Sequence, residues 1–163
     1  MRYLLISLLL VLGLGGLGWP QGMAPDFELS DLGGRVYRLS EHRGRVVLLS
    51  FWATWCRSCQ EELQELAELQ RLLGPQGLVV LTVSIDRSER TLRRFLRKRP
   101  LPFVVLWDRQ SRVAFDLYGV VGLPTAFLID AQGRLLRSIY GPQRWASEKW
   151  LRRIRELLKE AGQ

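Results

Sequence analysis

Apolar and polar residues alternate over Asp26-Phe27-Glu28-Leu29 and again over Arg35-Val36-Tyr37-Arg38, with Asp31-Leu32-Gly33-Gly34 between them. Period-two alternation on both sides of a Gly-Gly turn predicts a β-hairpin. The pattern then changes: from Arg45 to Trp52 every residue but Arg45 and Ser50 is apolar, which predicts a strand buried on both faces. Next comes Trp55-Cys56-Arg57-Ser58-Cys59, and behind it Glu62-Leu63-Gln64-Glu65-Leu66-Ala67-Glu68-Leu69, whose leucines recur at helical spacing. That helix is predicted to run to Leu73, where Gly74-Pro75-Gln76-Gly77 breaks it.

Leu78 to Ile85 is a second apolar strand, and Ser88 to Arg99 a helix that places Leu92, Phe95 and Leu96 on one face and stops at Pro100. Phe103 to Trp107 reads as a third strand and Ser111 to Tyr118 as a short helix. Thr125–Asp130 and Leu135–Tyr140 form a hairpin around Ala131-Gln132-Gly133-Arg134. Trp145 to Glu160 is predicted as the last helix, with Trp150, Leu151, Ile154, Leu157 and Leu158 as its apolar stripe. A hairpin, a βαβ unit and a terminal ββα predict an α/β fold. Its central mixed β-sheet is parallel in the middle and antiparallel at one edge, is flanked by helices, and carries an N-terminal β-hairpin extension.

Length and composition fit one domain and a short appendage: 163 residues, 47% hydrophobic, with six Trp and six Phe to build a core. The appendage is residues 1–19. Met1-Arg2 precedes the uncharged run from Tyr3 to Trp19, 17 residues with an aromatic at each end. It reads as a cleaved signal peptide or as a short membrane anchor, and the retained anchor is the expectation, because Pro25 follows the small residues of Gly22-Met23-Ala24. Arg2 is the only basic residue before Arg35, so the N-terminus is expected inside and the domain, residues 26–163 after a linker at 20–25, outside. Two cysteines exposed to that environment meet disulfide chemistry as their normal surroundings.

The net charge of +8 owes much to Arg90, Arg93, Arg94, Arg97, Lys98 and Arg99, with Arg152, Arg153, Arg155 and Lys159 near the C-terminus. An exported domain meets little nucleic acid, so none is expected as a partner. A solvated helix face near an anionic membrane surface is the reading of the basic stretch.

Strand, turn, Cys-x-x-Cys, helix is a redox arrangement. A cysteine at a helix N-terminus has its thiolate stabilised by unpaired N–H groups and the helix dipole. A second cysteine three residues on lies one turn away, close enough to form a disulfide with the first or to resolve a mixed one. As a structural staple the pair closes too short a loop to restrict the unfolded chain much. As a zinc site it lacks ligands, since Cys56, Cys59 and the single histidine His42 make three at most. His42 reads as a loop residue, and no metal and no cofactor is expected.

Glu62 joins this site by helix geometry. At about 100° per residue from Cys59, Leu63, Leu66, Leu69 and Leu73 fall within about 80° of the thiol, and Glu62 falls among them, whereas Glu61 and Glu68 fall on the far side. An acid in that apolar stripe is expected to have a raised pKa and to hold or take the proton of Cys59. The alternative is simple complementation of the helix dipole in the first turns.

Four segments, in this order, resemble the thioredoxin superfamily, and within it the TlpA/ResA-like branch of membrane-tethered or exported thiol–disulfide oxidoreductases. They are Ala24-Pro25-Asp26-Phe27-Glu28-Leu29, the run Gly44 to Cys56 with its Phe51-Trp52-Ala53-Thr54-Trp55-Cys56 end, the Cys59-x-x-Glu62 continuation, and Gly122-Leu123-Pro124-Thr125-Ala126-Phe127-Leu128-Ile129-Asp130. The resemblance implies a thioredoxin-like fold. It implies that Cys56 is the nucleophile, that Cys59 is the resolving thiol, and that Trp55 packs beside the disulfide and shapes its surface. Pro124 would be a cis-proline facing the dithiol, with the backbone at Leu123 free to pair with an extended substrate. A glutamate matching Glu62 is associated with the active site in relatives.

The implied partners are protein thiol and disulfide substrates, such as haem-attachment or metal-site proteins, and a membrane dithiol electron donor. The chain is expected to act as a monomer. Two positions depart from thioredoxin: Ser50 stands where a buried aspartate precedes the Phe-Trp pair, and Arg57-Ser58 lacks a proline between the cysteines. A thiol peroxidase of the related peroxiredoxin group would place its reactive cysteine in another local pattern. A copper-delivery module would require a histidine near the metal, for which His42 is the one candidate.

Overall fold

The computed structural model describes residues 22–162. The anchor or signal at 1–19 and the first linker residues lie outside them. The hairpin is β1 (Glu28–Ser30) and β2 (Val36–Arg38), antiparallel with Leu29 opposite Tyr37. Its turn is held by the Asp31 carboxylate, whose Oδ1 accepts from the N–H groups of Gly33 (2.8 Å) and Arg35 (3.0 Å), while Gly34 takes φ 85°, a conformation a side chain would resist.

The main sheet has five strands in the order β5-β4-β3-β6-β7, namely Val104–Trp107, Val79–Ser84, Val47–Trp52, Thr125–Ile129 and Leu135–Tyr140. β3 is parallel to β4, β4 is parallel to β5, and β6 and β7 are antiparallel to their neighbours. β3 is central, and all six of its residues are buried, as two-sided covering demands. On one side Phe51 meets Tyr118 and Phe127, with ring centroids 5.4 and 5.8 Å away; Trp52 lies 5.4 Å from the ring of Phe95 on the other. The hairpin joins the β5 edge through an Asp31–Leu106 bridge, so the sheet edge is covered.

The helices are α1 (Arg57–Leu73), α2 (Glu89–Lys98) and α3 (Glu148–Ala161). Leu63, Leu66, Leu69 and Leu73 of α1 are all buried, each worth about 1.5–3 kcal/mol of apolar transfer. On α2, Leu92 is buried and Phe95 and Leu96 half-buried, while its arginines face outward.

Three expectations change. The strand ends are one or two residues shorter than their apolar runs. The helix expected at Ser111–Tyr118 is a single π-helical turn, Val113–Leu117. Trp145, expected to open the last helix, precedes it and is fully buried, and α3 starts at Glu148. Within the stretch read as a linker, residues 22–25 lie against the domain: Ala24 is buried and its N–H donates to the Gly133 carbonyl at 2.9 Å.

Candidate active site

β3 and β4 run parallel and end together, Trp52 beside Ser84, and the chain leaves both at the same rim of the sheet. β6 begins at that rim, with Thr125 paired to Phe51, and β7 ends there, with Tyr140 paired to Thr125. The loop after β3 carries the cysteines, the loop after β4 carries Asp86, the residue before β6 is Pro124, and the loop after β7 carries Gln143 and Trp145. Topology thus gathers residues from four separate parts of the sequence at the carboxyl ends of parallel strands, where open α/β sheets place their sites.

Cys56 and Cys59 form a disulfide with an S–S distance of 2.15 Å. Cys56 is the N-cap of α1: its Sγ accepts from the Cys59 N–H at 3.2 Å, so the sulfur occupies the place of a capping oxygen. The two sulfurs differ in access. Cys56 is 9% exposed and Cys59 1%, while Trp55 beside them is 69% exposed. Arg57, the next residue, is well exposed and pairs with Glu61 at 3.4 Å.

Glu62, 3% exposed, lies one helical turn beyond Cys59 on the same face. Its Oε1 accepts from the Gln143 N–H at 2.9 Å and from the Trp145 indole N–H at 2.8 Å. Burial outweighs these two donors and pushes its carboxyl up to about 7. Glu65 adds a third tie between α1 and that loop, accepting from the Ala146 N–H at 3.1 Å. A carboxyl raised this far can hold or release a proton near neutral pH.

Leu123–Pro124 is a cis peptide bond; Pro124 is buried and Leu123 half-buried. The Pro124 carbonyl accepts from the Gly141 N–H at 2.9 Å, which ties the start of β6 to the end of β7. Ser50 is buried in β3, and its hydroxyl has no partner among the described residues. His42 lies in a 3-10 turn ahead of β3, whereas the cysteines follow β3. The six-residue strand between them spans about 20 Å, so His42 and the sulfurs do not converge on one metal. Partial burial lowers the pKa of His42.

Two residues here escaped the sequence reading. The first is Trp145, 83 positions from Glu62, where no local pattern announces the contact. The second is Asp86, buried just past β4. Its carboxylate accepts from the Thr54 N–H (2.9 Å), the Thr54 hydroxyl (2.5 Å) and the Ser84 hydroxyl (2.8 Å), and so clamps the loop that presents Trp55 and Cys56. An acid just behind a largely apolar strand usually marks a solvated loop, so the sequence carried no signal for it. Asp86→Ala is expected to cost about 1–3 kcal/mol, because Ser84 keeps a buried hydroxyl without its acceptor; urea unfolding measures it.

Residues 20–138 match the AhpC/TSA family. The chain is 42% identical over 118 residues to the thiol-disulfide oxidoreductase ResA of Geobacillus thermodenitrificans, covering 72% of this chain and 67% of that one. It belongs to the thioredoxin superfamily, in its TlpA/ResA-like branch. Among solved structures, a protein of Chlorobium tepidum provisionally assigned as the thiol:disulfide interchange protein DsbE is 34% identical with TM-score 0.78, over 85% of this chain and 96% of that one. The exposed lipoprotein thioredoxin Etrx1 of Streptococcus pneumoniae is 32% identical with TM-score 0.68, over 83% and 98%. This member of the branch is a thiol–disulfide oxidoreductase with a thioredoxin-like fold and a Cys-x-x-Cys pair.

Proposed function

We propose that this oxidoreductase works outside the cytosol, held to the membrane by residues 1–19, and reduces disulfides in exported proteins such as apocytochromes c or metal-site proteins. A membrane dithiol donor would return it to the reduced state, and it acts as a monomer. The observation that carries the reading is the inequality of the two cysteines: Cys56, 9% exposed, caps the N-terminus of α1, and Cys59, 1% exposed, lies one turn from Glu62.

In the reduced protein the Cys56 thiolate attacks a substrate disulfide and expels one substrate thiolate, leaving a mixed disulfide. Cys59 loses its proton to Glu62 and attacks the Cys56 sulfur, expelling the second thiolate. Two electrons pass to the substrate and Cys56–Cys59 closes. Trp55, next to Cys56 in the chain, and the backbone at the Leu123–Pro124 cis bond would be the surfaces against which an extended substrate lies.

No helix among the described residues is long and apolar enough to cross a membrane, and the uncharged run from Tyr3 to Trp19 would be the anchor. Cell fractionation is expected to find the full-length chain in the membrane, with residues beyond Pro25 cleaved only by protease added outside. A soluble protein beginning near Trp19 would make the segment a cleaved signal. Reduction by dithiothreitol is expected to change tryptophan fluorescence reversibly, since Trp52 and Trp55 flank the pair. The reduction potential obtained from that signal decides direction: a value more oxidising than those of the exported disulfides would rule out the reductive role.

A further inference from the structure

Trp55, next to Cys56 in the chain, lines a groove of about 460 Å³ together with Phe115, Ile85 and the exposed Arg87. Phe115 stands 49% exposed on the π-helical turn, and its support is built rather than incidental. The buried Asp108 carboxylate accepts from the N–H groups of Arg112 (3.1 Å) and Ala114 (2.9 Å), and Ala114 is buried beneath the turn. Ser111 holds φ 56°, unusual for a residue with a side chain, and its carbonyl accepts from the Phe115 N–H at 2.8 Å. Single π turns of this kind occur often at functional sites. The opposite wall is equally fixed, because Asp86 binds Thr54 through its carboxylate and the Trp107 indole N–H, at 2.6 Å, through its carbonyl. Two exposed aromatics thus face an apolar channel whose walls are pinned on both sides.

The rim is cationic. Arg87 is exposed and forms no ion pair among the described residues, and the Asp86 carboxylate next to it is turned inward onto Thr54 and Ser84. On α2 the one acid, Glu89, is taken by Arg93 at 2.6 Å, so Arg90, Arg94 and Arg97 add positive field that no other acid of that helix offsets, and Asp116 beside Phe115 is the acid on the facing wall. Such a rim favours a carboxylate and disfavours a cation.

We propose that this groove is a specificity subsite for the polypeptide being reduced. It selects a substrate cysteine flanked by a large apolar residue and an acidic one, the apolar side chain entering between Trp55 and Phe115 and the carboxylate pairing with Arg87. The proposal rests on the dithiol reading above and names its substrate class. A small aromatic disulfide would react at Cys56 without using the groove, which separates the chemistry from the selection.

The test reduces four peptide disulfides with the full-length chain in detergent, the reactive cysteine flanked by Phe-Asp, Ala-Asp, Phe-Lys or Ala-Lys. The Phe-Asp peptide is expected to react about tenfold faster than Ala-Asp, the size of discrimination an apolar pocket gives. It is expected to exceed Phe-Lys by about threefold, as a rim ion pair allows. Phe115→Ser removes the first preference and Arg87→Glu reverses the second, and both variants keep the wild-type rate toward the small disulfide. Equal rates for all four peptides, or an acidic preference that survives Arg87→Glu, would overturn the proposal. So would a preference abolished by phosphatidylglycerol vesicles and untouched by phosphatidylcholine ones, which would assign the arginines to a lipid surface. If neither the peptides nor the small disulfide is reduced, it is the dithiol reading that fails.

Discussion

Cys56→Ser is expected to abolish insulin reduction, and Cys59→Ser to leave a protein that captures substrates without releasing them. Both expectations follow from the difference in access between the sulfurs, 9% against 1% exposed. Cys56 is the more accessible of the two to a substrate disulfide. Its thiolate would be held by the Cys59 N–H, which already donates to that sulfur at 3.2 Å, and by the positive end of α1. Serine in its place is a far weaker nucleophile at neutral pH, so turnover should fall by about a thousandfold or more, as for loss of other covalent nucleophiles. Without Cys59 the first step survives and the second does not. The mixed disulfide through Cys56 then accumulates and is seen as a higher band on a non-reducing gel that dithiothreitol removes. Full turnover by Cys56→Ser, or conjugates forming through Cys59 in that variant, would invert the two roles.

The elements that were legible in the sequence are those whose pattern and environment agree. The apolar run ending at Trp52, interrupted only by Ser50, had no stable place except the centre of a two-sided sheet, and it is β3. The leucines of α1 marked a buried stripe, and the same geometry put Glu62 inside it, where the structure also puts it. What escaped was set by contacts distant in sequence. Trp145 carries an apolar ring ahead of a helical pattern and so looked like the first helical residue, but its indole N–H is drawn back onto Glu62 and the chain turns helical only after it. The segment 111–118 has helical spacing. Asp108 takes its first N–H groups and Ser111 adopts a left-handed conformation, so one wide turn forms and ends at Tyr118, whose hydroxyl reaches back to the Pro25 carbonyl at 2.6 Å. Asp86 was silent because an acid after a strand is usually a solvated loop residue, and only the fold brings Thr54 onto it.

Glu62→Gln is expected to flatten the pH dependence of stability in the oxidised protein and to slow exchange in the reduced one. In the oxidised state the cysteines do not titrate, so the difference between wild type and variant reports the carboxyl free of thiol titration. It titrates near 7 in the fold and at 4.5 outside it, because burial disfavours its charge. Between those values the native protein holds a proton that the unfolded chain has released. Stability from this group is therefore complete below 4.5 and is lost as pH rises through 7, by about 3 kcal/mol in all. Glutamine keeps the oxygen that accepts from Gln143 and Trp145 and has no charge to bury. The variant should match the wild type near pH 4 and exceed it above 7, where thermal unfolding at a series of pH values resolves the gap. In the reduced state the same substitution removes the proton acceptor one turn from Cys59. The pH profile of thiol alkylation should lose its component near 7, and exchange should slow by about 10–100-fold, the low end of what a positioned acid–base group contributes. Unchanged thiol titration together with parallel stability curves would leave Glu62 as no more than a tie between α1 and the loop before α3.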